Sequence, residues 1–312
     1  MLSLLLVSLF TFVELNCENL FDCEHDSLKD DTEYLPDSYH HWNHYKYWQK
    51  LNHIGQEIIA CGEDTAGWQL PDMVALCEVE NDSVMRDLTK RSLLRRAGYE
   101  YVMTNSPDVR GIDVALLYHP MSFQLIHSHA IRITPLKNMR PTRDLLYACG
   151  VLLSGDTLHV IVVHAPSRYS GELSTRAHRL LVADRINATV DSIRHCSPDA
   201  RIIMAGDFND TAYSSTLRVI LQRGVQDISS DATGVNGARG TYRYHGRWES
   251  IDHVLCSPSV AGKLHQCTIG DFPFLLEEDR KYGGVHPLRT YNGAHYQNGY
   301  SDHLPLIARF SF

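Results

Sequence analysis

The stretch I-M-A-G-D-F-N-D, residues 203–210, decides how the rest of the chain is read. Residues 201–205 form a brief apolar run closed by a glycine, which suits an interior strand better than a helix. Such a strand ends by presenting Asp207, Asn209 and Asp210 at its rim. Two carboxylates and an amide on one rigid strand end can hold a hard cation or orient a water beside a phosphate. The same G-D-x-N-D is also good turn chemistry, because Asp and Asn cap their own backbone. Other segments must decide between the two.

Working outward, residues 9–15 read as a strand delivering N-C-E-N-L-F-D, 16–22, and residues 72–78 as a buried strand ending in Glu78. Segments 99–103 and 112–118 read as paired strands about the turn 105–111, and 145–153 with 158–164 as a hairpin about Ser154-Gly155-Asp156. The second strand of that hairpin ends at His164. Downstream, the strand 251–256 carries Asp252, and 300–312 closes the chain with Asp302 and His303 at the start of its strand. Helices are expected over 41–59, where Tyr47, Leu51, Ile54 and Ile58 are spaced four, three and four, and over 85–97, 174–195 and 215–223. Segments 22–39, 231–240 and 270–299 read as loops. Strands alternate with helices but include hairpins, so the sheets are expected to be mixed.

Composition narrows the class. At 312 residues without a Pro/Ser/Gly-rich linker or repeat, the chain is expected to form one domain over 1–312. A hydrophobic share of 44% and a charged share of 21% are those of a soluble globular protein. The net charge of −8 gives no general pull toward polyanions, so a phosphate-bearing substrate must be met by a local basic cluster or a metal. This argues against a nucleic-acid coat protein but not against a nuclease. The eight cysteines form no C-x-x-C pair, which disfavours a zinc site and leaves a bond such as Cys17 to Cys23 open. His40, His41 and His44 lack a matching carboxylate or thiol and read as a solvated helix entry. Residues 1–13 are apolar but have no basic start or small-residue cleavage site, and are too short to span a bilayer. Residues 1–8 are read as a signal-like or irregular extension, and compartment stays open between cytoplasmic and exported.

Glu78, His164, Asp207, Asn209, Asp252, Asp302 and His303 all fall at strand ends or just beyond, and several strand ends can converge on one rim. Oxygen donors from Asn16 and Glu78 suit Mg²⁺, which takes few protein ligands and keeps its waters. Asp207 and Asn209 can orient a water. His303 with Asp252 makes an acid/base unit, and His164 can donate to a phosphate oxygen.

The ordered blocks N-C-E-N-L-F-D (16–22), L-C-E-V-E-N (76–81), R-G-I-D-V-A-L-L-Y (110–118), V-V-H-A-P-S-R (162–168), A-G-D-F-N-D (205–210), E-S-I-D-H-V-L (249–255) and Y-S-D-H-L-P-L (300–306) resemble the signature of the endonuclease/exonuclease/phosphatase superfamily, including its bacterial members. That superfamily includes pancreatic-type deoxyribonuclease, apurinic-site endonucleases, inositol polyphosphate phosphatases and bacterial sphingomyelinases. The resemblance implies an α/β fold of four layers, α/β/β/α, with two mixed β-sheets packed face to face and helices outside. It further implies Asn16 and Glu78 as Mg²⁺ ligands, Mn²⁺ being a possible substitute, with Asp302 often assigned to metal and Glu18 left open. His164 matches the phosphate-contacting histidine, Asp207 and Asn209 the water-orienting pair, and Asp252 with His303 the dyad. Arg110 and Arg168 fall in matching blocks, where each reads either as a bidentate phosphate contact or as a structural residue. Ala165 departs from related bacterial sequences, which often carry a bulky aromatic there.

The expected partner is a phosphate-ester substrate, a nucleic acid or a small phosphodiester or phosphomonoester, with no obligate protein partner. The preferred reading is a metal-dependent phosphodiesterase or nuclease-like hydrolase. A phosphomonoesterase or lipid and inositol-phosphate phosphatase on the same site is the alternative. A catalytically silent binding module is the third reading, disfavoured because no ligand or dyad position is lost.

Overall fold

The computed structural model describes residues 9–64, 67–137, 139–168 and 171–312. The extension expected over residues 1–8 lies outside the described residues. Among the described residues, two six-stranded sheets form the middle of the molecule. One runs, edge to edge, through Leu264–Ile269, Leu306–Phe310, Phe10–Leu20, Met73–Val79, Asp113–Tyr118 and Glu100–Met103. The other runs through Gln226–Asp227, Asp252–Cys256, Arg201–Asp207, Thr157–His164, Leu145–Leu152 and Phe123–Ile131. Both are mixed: Phe10–Leu20 is parallel to Met73–Val79 and Arg201–Asp207 to Thr157–His164, whereas their other neighbours are antiparallel.

Alternation along the strands builds three cores. Phe10 and Phe12 point between the sheets, where they join Leu146, Val160, Val162, Ile203, Ala205 and Val254. Val13 and Leu15 point the other way, onto Tyr47, Leu51, Ile54 and Ile58 of the helix His44–Ala60. On the far side Val182, Ile186 and Val190 of the helix Glu172–Cys196 cover Ile161, Val163, Ile202 and Met204. Full burial of each such side chain contributes roughly 1.5–3 kcal/mol. The result is the expected α/β/β/α sandwich.

Several local expectations are corrected. The first helix starts at His44 rather than 41, because Asn43 caps it by accepting from the Lys46 amide at 3.2 Å. The helix expected over 85–97 is two pieces, Asp82–Lys90 and a 3₁₀ turn Leu93–Arg96. Asn81 caps the first piece, and the Ser92 hydroxyl donates to the Leu88 carbonyl and ends it. The edge strand Phe123–Ile131, the hairpin Tyr242–Tyr244 with Arg247–Glu249, and the strand Leu264–Ile269 were not anticipated. Segment 270–299, read as loop, contains short two-stranded ribbons. Each of the eight cysteines is a free thiol, and Cys17 and Cys23 are buried without a bond between them. Among the described residues no helix is long and apolar enough to cross a membrane.

The decisive strand runs two residues beyond Ala205, through Gly206 to Asp207. Gly206 has φ +143°, and a Cβ there would come within 1.8 Å of the Val163 carbonyl oxygen. The close approach of the two parallel strands at this point therefore requires glycine. Gly206→Ala is expected to cost about 3 kcal/mol or more in urea unfolding. A loss below about 1 kcal/mol would show that the strands can separate there freely.

Candidate active site

Backbone pairing sets the first row. Asp207 is paired with His164 on one neighbouring strand and with Asp252 on the other, so three side chains stand abreast at the end of one sheet. The opposite sheet contributes Asn16 and Glu78, and His303 precedes its strand Leu306–Phe310. Two hydrogen bonds join the sheets across the rim. Asn16 Nδ2 donates to Asp207 Oδ2 at 3.2 Å, and His303 Nδ1 lies 2.8 Å from Asp252 Oδ2.

Glu78 reaches this rim through a local irregularity. Val74 and Leu76 face the outer helical core, and plain alternation would aim Glu78 the same way. A register shift between Cys77 and Val79 and a left-handed Glu78, φ 61°, redirect it. The neighbouring strand shifts between Asn16 and Leu20, with Glu18 and Asn19 left-handed at φ 48° and 61°. The Asn19 amide donates to Glu78 Oε2 at 2.9 Å and locks one bulge to the other. Left-handed non-glycine residues are strained and persist only where surrounding contacts hold them.

Electrostatics at the rim are uneven. Burial, and then the nearby Asp252 charge, push Asp207 up to about 7, although the Asn209 amide bonds its Oδ1 at 2.7 Å. Burial and Asp302 likewise push Glu18 up to about 7. His164 is held well below 6.5 by burial and by Arg143 and Arg110, so its ring is neutral, and its 3.7 Å approaches to Glu78 and Asp207 are not ion pairs. His303 is depressed by burial, but Asp252, Asp302 and Asp207 outweigh this and hold it well above 6.5 as the imidazolium. Donor atoms of Asp207, Asp252 and His303 lie within 4.8 Å of one another, close enough to hold an ion.

The remaining sequence candidates have other partners. Asp302 Oδ2 accepts from Arg289 at 2.6 Å, while its Oδ1 lies 3.9 Å from His303 Nε2. Glu18 accepts from the Thr290 amide at 2.6 Å and lies 3.7 Å from Lys50 Nζ. Arg168 is paired with Glu249, and Arg110 donates to Asn19. Asp210, expected at the rim, faces away onto buried Arg179 at 2.8 Å.

Sequence reasoning missed several supporting residues. Thr241 donates to Asp252 Oδ2, and Ser301 donates to the Asn16 carbonyl at 2.6 Å while accepting from the His303 amide at 3.1 Å. Ser301 lay within the quoted Y-S-D-H block, whereas Thr241 carried no signal. Glu14 is fully buried two residues before Asn16, with neither carboxyl oxygen hydrogen-bonded, and burial and then Asp252 push its carboxyl well above the usual carboxylate range.

A sequence model of the Endonuclease/Exonuclease/phosphatase family matches residues 11–311. No curated protein sequence matches the chain significantly. Among solved structures, an endonuclease/exonuclease/phosphatase from Bacteroides vulgatus is similar at 17% identity and TM-score 0.62, over 97% of this chain and 98% of that one. A mannosyl-6-phosphatase from Bacteroides thetaiotaomicron is similar at 14% identity and TM-score 0.60, over 96% and 98%. The human Nocturnin catalytic domain with bound sulfate is similar at 16% identity and TM-score 0.58, over 97% and 94%. At such identities these likenesses bear on the fold alone.

His253, beside Asp252, braces the site from behind. Its Nδ1 lies 2.8 Å from Asp227 and its Nε2 2.9 Å from the Asp210 carbonyl, so both ring nitrogens face acceptors and the ring is doubly protonated. Burial lowers its pKa, but Asp227 and the carbonyl of Asp210 raise it above 6.5. Burial raises Asp227, but His253 pulls it below 3.8. The histidine's contribution is complete below 6.5 and lost as pH rises through its raised value, and the aspartate's is complete above 3.8 and lost below. His253→Gln should therefore cost about 3 kcal/mol in denaturant unfolding near pH 6, with the deficit shrinking in alkali. A deficit independent of pH would rule out the charged pair.

Proposed function

The chain belongs to the endonuclease/exonuclease/phosphatase family, and on that premise we propose that it is a divalent-metal-dependent phosphoester hydrolase acting on phosphodiesters, with residues 1–312 forming one catalytic domain. The observation that carries this reading is the cross-sheet meeting of Asn16 with Asp207 and of Asp252 with His303 beside Glu78 and His164.

The donor set fits a hard cation. Asn16 Oδ1 accepts one bond, from the Glu18 amide at 2.9 Å, and keeps a lone pair. Glu78 Oε2 is engaged by the Asn19 amide, and Oε1 faces His164 at 3.7 Å. Asp207 and Glu18 are raised first by burial and then by the neighbouring Asp252 and Asp302 carboxylates, whose charge a divalent ion would offset. In this reading Asn16 and Glu78 hold Mg²⁺, with Mn²⁺ as substitute. Asp302 could join only by sharing its carboxylate with Arg289. When bound, the ion supplies polarisation of a phosphoryl oxygen and balances charge in the transition state.

The side chains supply the rest. Neutral His164 donates from Nε2 to a phosphate oxygen. Asp207 and Asn209 orient the attacking water; the Asn209 amide group donates to Asp207 at 3.0 Å and to the Ala165 carbonyl at 3.1 Å, which fixes its direction. Asp252 holds the His303 Nδ1 proton, leaving Nε2–H to serve as the acid. Because His303 is held protonated and bonds Asp252 Oδ2, which also accepts from Thr241, the pair reads as a dyad rather than as ion ligands. Arg168 and Arg110 would contact substrate by exchanging their present partners.

The diester reading is supported by two clefts, one lined in part by Asp302 and the other in part by Arg110. One of about 670 Å³ opens beside Asp302 and Arg289, and one of about 380 Å³ beside Arg110 and Arg143. A phosphomonoester would leave one of them unused.

Hydrolysis of bis(p-nitrophenyl) phosphate should require Mg²⁺ or Mn²⁺ and stop with chelator. Asp207→Asn and His303→Ala should each lower kcat by about 100-fold or more with little change in melting temperature. Chelator-insensitive turnover, or parallel loss of fold and activity in both variants, would overturn the proposal.

A further inference from the structure

The backbone of Ala165 is held from three sides. Its amide donates to the Asp207 carbonyl at 2.8 Å, which continues the pairing of the two parallel strands beyond His164. Its carbonyl accepts from Asn209 Nδ2 at 3.1 Å and from Arg143 Nη2 at 2.7 Å. Pro166 follows, so the peptide unit joining the two residues offers that oxygen and no N–H.

Arg143 stands two residues before the strand Leu145–Leu152 and is buried. Its other terminal nitrogen, Nη1, lies 3.2 Å from Asp108 Oδ2, and Asp108 Oδ1 in turn accepts from the Arg110 amide at 3.0 Å. One bonded path therefore runs from the Arg110 turn through Asp108, Arg143 and the Ala165 carbonyl to Asn209. A charge-assisted bond is about twice as strong as a neutral one, so of the two side chains on that carbonyl the guanidinium sets its direction.

Asn209 depends on this support. It is left-handed, φ 50°, a strained conformation that persists only where its surroundings hold it. One Nδ2 hydrogen goes to Asp207 Oδ2 at 3.0 Å and the other to the Ala165 carbonyl, which leaves Oδ1 as the acceptor for a water. A shift of the carbonyl would turn the whole amide.

We propose that Arg143 is a positioning residue for hydrolysis, which aims Asn209 by fixing the carbonyl of Ala165. The proposal rests on the phosphoester-hydrolase reading for the part Asn209 plays. A purely structural Arg143 would lower stability, and its effect on turnover would not depend on Asn209.

A double-mutant cycle on the full chain, with Mg²⁺ and bis(p-nitrophenyl) phosphate, separates the two roles. Arg143→Lys keeps a cation opposite Asp108 but gives up the fork that bonds two acceptors at once. It should lower kcat by about ten-fold with KM within about two-fold, and by less than about two-fold in the Asn209→Ala background. Arg143→Met combined with Asp108→Asn strands no buried charge, and should lower kcat by about 30-fold alone and less than about three-fold in the same background. Thermal melts check that both variants fold. Losses that multiply across the two backgrounds, a loss carried by KM, or an unchanged kcat in the paired variant would overturn the proposal. A second readout needs no turnover: exchange of the Asn209 side-chain amide protons with solvent, followed by NMR, should quicken about ten-fold in either variant. An unchanged exchange rate would sink the positioning role alone. Quickened exchange in a chain that hydrolyses no diester would sink the hydrolase reading and leave the hold of Arg143 on Asn209 standing.

Discussion

The structure turns on one buried carboxylate. Asp207 sits at the end of a central strand with its neighbours on both sides set by backbone pairing, so its surroundings are as rigid as the sheet itself. Burying a carboxylate costs several kcal/mol unless it is bonded. Here the compensation comes from Asn209 through its backbone and side chain and from Asn16 of the opposite sheet. The compensation is incomplete, which is why Asp207 titrates near neutrality. In the proposed reading, a divalent cation bound beside it would supply the remainder.

That requirement propagates outward. Asn16 can reach Asp207 only if the two sheets pack closely at this end, and the inter-sheet core of Phe12, Val160, Ala205 and Val254 sets that distance. Gly206 allows its strand to lie against Val163. The paired bulges at 16–20 and 77–79 then turn Glu78 toward the rim, and the strain of three left-handed residues is held by the Glu78 bond to the Asn19 amide. Strain concentrated at two adjacent strand ends is consistent with selection for position rather than for stability.

The segment 270–299 is the second structural dependence. It returns to the rim through Arg289 on Asp302 and Thr290 on Glu18, and buried Lys50 ties it to the first helix by donating to Thr290 and to the Tyr300 carbonyl. The same segment supplies the outer wall of the larger cleft. The network around Glu18 thus joins the rim to the segment that walls the larger cleft.

Most of the central strands and the chemical types at their ends were legible in the amino-acid sequence, because apolar periodicity and polar punctuation are local and survive in one dimension, whereas the four layers were implied by the family resemblance. The family resemblance rested on the same strand-end residues, and the family match over residues 11–311 agrees with it. The tertiary structure alone decided how those residues are aimed and partnered. Alternation would send Glu78 to the helical face, and only a bulge locked by a residue 59 positions away redirects it. Asp210 looked like part of the rim until helix Glu172–Cys196 supplied Arg179, and Arg168 looked free until Glu249 met it. Thr241 and Thr290 carry no pattern, yet each bonds a carboxylate at the site. Local sequence dictates which atoms a strand presents. Contacts between residues far apart in the chain dictate which atoms those meet, because packing the two sheets brings distant strand ends and loops together.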